Sequence, residues 1–176
     1  MKFKSLILLF ALALSLSAFA GGKYAGVPKK YHALLDRAMV TAGSNAKELK
    51  KALREIPASE REGMAFLISY MPERDAKTLT ADFLKEHVRY AYKARNEFPW
   101  AKTVPNDIFL NDVVAYVNLN EERESWRKDF YGRFKKYVAN CKTMREAIDS
   151  VNKNIRDEVQ VDYNTKREKA DQAPYE

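Results

Sequence analysis

NEFPWAKTVPNDIFLNDVVAYVNLNEERESWR, residues 96–127, is the stretch on which the reading of this chain turns. Phe98, Trp100, Ile108, Phe109, Leu110, Val113, Val114, Tyr116 and Trp126 make it too apolar for a surface loop. Pro99 and Pro105 interrupt it too often for one long helix, because proline lacks a backbone donor and forces the residue before it out of helical geometry. Such a segment is expected to cross the face of a domain and pin its elements together. Pro105 suits the first turn of a helix carrying Ile108, Phe109 and Val113. Residues 118–123 read as a polar connection.

Upstream, the apolar residues recur at helical spacing. Tyr31, Leu34, Leu35 and Ala38 share one face. Gly43 stops that helix and Ser44 is placed to cap the next, whose inner face is Leu49, Ala52, Leu53 and Ile56. Pro57 ends it. Ser59 and Glu62 have the spacing of a capping box, in which each side chain satisfies the other's free amide. Met64, Leu67, Ile68 and Met71 form the next buried stripe, which Pro72 closes. Thr80 caps a longer helix reaching Asn96, with Leu84, Val88 and Ala91 inward.

Downstream, Trp126, Phe130, Phe134, Tyr137 and Val138 mark another amphipathic helix. Thr143 and Glu146 form a second capping box, ahead of Ala147, Ile148, Val151 and Ile155. The period then shortens. Val159, Val161 and Tyr163 alternate with Gln160 and Asp162, which predicts a strand over residues 159–163. A lone strand needs a partner for its backbone amides, and no second strand is evident. The expected fold is therefore mostly α: six or seven short helices and one terminal β-strand, incomplete as it stands.

The 176 residues suffice for one domain with a core. A 46% apolar and 31% charged composition is that of a soluble globular chain. Residues 1–20 read as a secretory signal peptide: Lys2 and Lys4, an apolar run from Leu6 to Leu16, then a small-residue site for cleavage after Ala20. Those two lysines account for part of the net charge of +7, leaving +5 spread over the rest, which is not a nucleic-acid-binding arm. Export to the periplasm or the extracellular space follows, with no stable membrane insertion after cleavage. Residues 21–29 form a polar leader.

Cys141 is the only cysteine, so no internal disulfide framework exists. It precedes the Thr143 cap, and a helix N-terminus favours a thiolate. Its available bases, His32 and His87, lie far off in sequence. His87, beside Glu86 and Arg89, reads as part of a solvated face. Cys141 is thus expected to be a partly buried structural thiol. The chain has no H-E-x-x-H, no cysteine cluster, no P-loop and no G-x-G-x-x-G, so neither a metal nor a cofactor is implied. No pair of carboxylates is marked as catalytic. Trp100, Asn111 and Tyr116 are the candidates for lining a binding cleft, since aromatic and amide groups together can hold a peptide or glycan chain. The competing reading makes Trp100 a core anchor and Asn111 a tie to the backbone at a helix end.

Two runs resemble one known family. P-W-A followed by V-P-x-D-I-F-L-N, then Tyr116 and E-x-W-R ending at Arg127, resembles the region upstream of the catalytic core in secreted bacterial transglutaminase-like proteins. A-I-x-x-V-N-x-x-I-R-D-E-V-x-V-x-Y, residues 147–163, with D-Q-A-P-Y-E at residues 171–176, is similar to the helix and strand that lead to the nucleophile there. The family's papain-like Cys, His and Asp form an acyl-enzyme at amide or peptide bonds. No position here matches those three residues. The resemblance therefore implies a helical N-terminal domain over residues 30–158 and, from residue 159, the start of a core that the sequence does not continue. Such a chain is expected to be inactive alone. Its partner would be the missing catalytic core or a split partner chain, and the full-length family implies a peptide or glycopeptide substrate. The alternative, from a different class, is a self-contained helical exported protein that binds a protein or cell-wall partner.

Overall fold

Apolar residues at i, i+3 and i+4 spacing give the longer helices one apolar stripe each, and the fold is the burial of those stripes against one another. The computed structural model of the chain describes residues 22–117 and 121–160. It is mostly helical: α1 (His32–Ala42), α2 (Ala46–Glu55), α3 (Arg61–Tyr70), α4 (Glu73–Thr78), α5 (Ala81–Glu97), α6 (Asn106–Ile108), α7 (Trp126–Val138) and α8 (Met144–Val159). Seven of these have six residues or more. There is no strand among the described residues.

Proline sets most of the breaks. Ile56, Met71, Phe98 and Val104 each precede a proline and are each extended, with ψ between 122° and 149°. Gly43 ends α1 with φ 55°, a backbone conformation open to glycine at little cost. The α5 N-terminus is held twice. The Thr80 hydroxyl accepts from Phe83 N–H at 3.3 Å, and the Glu48 carboxylate accepts from Ala81 N–H at 2.9 Å.

The first core gathers Leu35, Leu49, Ala52, Met64, Ile68, Leu84 and Val88, none more than 1% exposed, from α1, α2, α3 and α5. Burying each leucine, isoleucine, methionine or valine among them contributes about 1.5–3 kcal/mol. Phe109, Leu110, Val114 and Tyr116 join this core from the strap over residues 96–127. A second, smaller core of Phe98, Ala101, Val138 and Ala147 lies where the strap meets α7 and α8.

Several local expectations are corrected. Ser44 does not cap α2. A 3-10 turn, Gly43–Asn45, leads into it, and Asn45 instead donates to the carbonyls of Ala76 and Leu79, each at 2.9 Å. The Ser59–Glu62 box is not made. Residues Ala58–Glu60 form a 3-10 turn, and Glu62 pairs with Lys30 at 2.9 Å. At the second, Thr143 caps as expected, accepting from Glu146 N–H at 3.2 Å, while the Glu146 carboxylate accepts from Lys142 N–H at 2.8 Å, one residue ahead of the cap's own amide. Val159, expected to open a strand, is the last residue of α8, and Gln160 closes it with φ 53°. The helical hydrogen bonds run on because Ile155 and Val159 continue the apolar spacing of α8, which outlasts the two-residue alternation. The rest of that strand, residues 161–163, lies outside the described residues, as do the signal peptide, residues 1–20, and the terminal segment, residues 164–176. The short α4 was not foreseen: its E-R-D-A-K-T sequence has almost no apolar stripe.

Candidate functional site

The strap is fastened by one buried acid. Asp75, on α4, is 1% exposed. Its carboxylate accepts from the Tyr116 hydroxyl at 2.7 Å and from Arg123 Nε at 3.0 and 3.1 Å. Arg123 Nη2 adds a bond at 3.0 Å, and its Nη1 donates to the Glu121 carbonyl. Burial, with Asp75 alongside, holds the Tyr116 phenol well above its ordinary range. A neutral hydroxyl and a fork-shaped cation together satisfy both carboxylate oxygens, which is what a buried charge needs.

Behind Tyr116 sits His87, which is fully buried and not on a solvated face. Phe83, Trp126 and Tyr116 pack round its ring at centroid distances of 4.4, 5.7 and 6.1 Å. Its Nε2 lies 3.0 Å from the Glu124 carbonyl. A carbonyl only accepts, so Nε2 carries the proton, and Nδ1 is left with no partner. Burial, helped by the Arg127 charge, lowers the His87 pKa to about 4. Burial also lowers Arg127 to about 10. Arg127 donates to the Ala115 carbonyl, and Trp126 Nε1 donates to the Tyr116 carbonyl at 2.9 Å. The E-x-W-R residues thus close the strap onto its own earlier turn.

Of the three candidate cleft residues, two come together. Asn111 and Tyr116 line a groove of about 630 Å³ with Phe66, Leu67, Tyr70 and Met71. Asn111 lies in a π-helical turn, Phe109–Val113, and its amide donates to the Asp107 carbonyl at 2.8 Å. Single π turns of this kind recur at functional sites. Trp100 is placed elsewhere. It stacks on Phe98 at 5.3 Å, nearly parallel, against the second core. Phe66 and Tyr70 were missed as groove residues. Their signal was available: an i, i+4 aromatic pair off the Met64–Leu67–Ile68–Met71 stripe of α3. Asp75 and Arg123 carried no such signal, since their pairing spans 48 residues.

The thiol and the imidazoles do not meet among the described residues. Cys141 is half-buried, with Sγ 3.6 Å from the Tyr137 carbonyl. His32 Nε2 contacts the Val27 carbonyl at 3.0 Å, beside Tyr24. His87 sits in its aromatic cage. No group of three or more His, Cys, Asp or Glu side chains is arranged to hold a metal ion among the described residues. None of the described helices is long and apolar enough to cross a membrane. No family model, no curated protein and no solved structure matches this chain.

Proposed function

We propose that the chain is the helical, non-catalytic part of an exported protein of the transglutaminase-like group, bracing a catalytic core that carries the Cys, His and Asp. The observation that carries this reading is the outer side of α8. Ile148 is 51% exposed and Ile155 41% exposed. They lie seven residues apart, two turns along one side of the helix. Ala147 and Val151, on the same apolar arc, pack into the second core, so the two isoleucines are the uncovered edge of that arc. An apolar arc that its own fold covers only in part has surface left for a partner to cover. The run that resembles the family's approach to its nucleophile begins on this same helix, and a core docked there would cover both isoleucines. The placing of Cys141, His32 and His87 in three separate environments supports a supporting role over thiol chemistry. The charged, then apolar, then small-residue order of residues 1–20 supports export.

The test is the intact mass of the native protein, captured from its source cells with an antibody to the helical region. A mass well above 20.3 kDa, or a stably bound second chain whose cysteine labels with biotin-iodoacetamide, is the expected result. A monomer near 20.3 kDa less its leader, with no bound chain, would overturn the proposal.

A further inference from the structure

The groove beside Asn111 and Tyr116 is the middle of a longer channel. Phe66, Tyr70 and Asn111 are shared with one end, and Tyr116 with the other. Asp107 lines the first end and Asp112 the second. Both carboxylates are exposed, and neither makes a side-chain hydrogen bond or ion pair among the described residues. Many other acids are matched, Asp36 to Lys23, Glu62 to Lys30, Glu73 to Lys77 and Glu158 to Lys136, though Asp149 and Asp157 on α8 are not among the described residues. Of the two cations at the channel, Lys30 is paired with Glu62, and Arg127, turned onto the Ala115 carbonyl, keeps its charge at the end that also holds Asp112 and Glu121. On a chain of net charge +7, this leaves an apolar trough with, at each end, an exposed acid that makes no ion pair among the described residues.

We propose that this channel binds a peptide segment with an apolar centre flanked by lysine or arginine. The floor of Phe66, Leu67, Met71 and Tyr116 gains from removing apolar side chains from water. Asp107 and Asp112 then meet the flanking cations, and complementary charge sets register and partner choice. Tyr70, 59% exposed and tilted against Phe66 at 4.9 Å, offers a ring face to a cation or an apolar side chain. An acidic peptide is repelled at both ends, and a neutral sugar chain leaves both acids unanswered. This assignment goes beyond the family reading and does not depend on it.

The experiment is fluorescence anisotropy on the full chain with three fluorescein-labelled pentapeptides. One has lysine at each end of a leucine–phenylalanine–leucine centre, one has glutamate at each end, and one has lysines around a serine centre. The lysine-ended apolar peptide is expected to bind at least about ten-fold more tightly than either of the others. Asp107→Asn with Asp112→Asn should cost about ten-fold or more in that affinity, while Asp149→Asn, at an exposed acid on α8 that lines no part of the channel, leaves it unchanged. Both aspartates are exposed, so thermal melts of the double variant should match the parent and separate binding from folding. Equal binding of the glutamate-ended peptide, no binding of any peptide, or indifference to the double variant would each overturn the proposal. So would binding of chitotetraose in place of the peptides.

Discussion

Asp75 shows how one residue can hold a long segment. It sits on a six-residue helix, yet its carboxylate collects Tyr116 and Arg123 from beyond residue 110. Asp75→Ala would leave the Arg123 cation, 10% exposed at its side chain, without its partner. Removing one member of a buried pair costs about 3–5 kcal/mol, so the unfolding free energy from urea titration should fall by that much; a loss under about 1 kcal/mol would show the pair to be dispensable. His87 makes a different prediction, in pH. Its folded pKa is lowered from the ordinary 6.5 to about 4. Between those values the unfolded chain binds the proton and the folded chain does not. The His87 contribution is therefore whole above pH 6.5, is lost as pH falls towards 4, and is level below that. The full loss is about 3 kcal/mol. Denaturant titrations from pH 7 to pH 4 should show this slope, and His87→Gln should flatten it.

At the scale of elements, the two capping boxes are a matched pair with unequal outcomes. Ser59-x-x-Glu62 and Thr143-x-x-Glu146 have the same spacing. Only Thr143 caps its helix, because Pro57 starts a 3-10 turn through Ser59 and Lys30 draws Glu62 away. Thr143→Ala should cost about 1 kcal/mol of stability and Ser59→Ala close to nothing, both by chemical denaturation. Equal losses would mean that Ser59 also caps. The strap illustrates the same point in reverse. Its prolines and apolar residues announced a pinning segment, and it does pin, through Phe109, Leu110, Val114 and Tyr116. Its fastening to α4 was not visible, because α4 has no hydrophobic period to announce it.

For the whole molecule, the two cores differ in size. The first draws on α1 to α5 and the strap, whereas the second has four buried residues under α7 and α8. Opening free energy follows buried contact, so the hairpin of α7 and α8 should exchange its amides before α5 does. Hydrogen exchange on the isolated chain should show lower protection over α8 than over Leu84 to Ala91. Equal protection would make the two cores one cooperative unit. In complex with a core covering Ile148 and Ile155, protection of α8 should rise.

The sequence by itself determined the local architecture. The stripes of α1, α2, α3 and α5, the stops at Gly43, Pro57 and Pro72, and the caps at Thr80 and Thr143 all follow from periodicity and backbone sterics, which act within a few residues. It also marked Asn111 and Tyr116, though not the groove they share with Phe66 and Tyr70. Only the tertiary structure decided that His87 is caged, that Asp75 anchors the strap, and that Trp100 lies apart from Asn111. Each of those depends on residues far apart in sequence. Burial and charge pairing act between surfaces that meet only after the helices have packed, so they leave no local pattern to read.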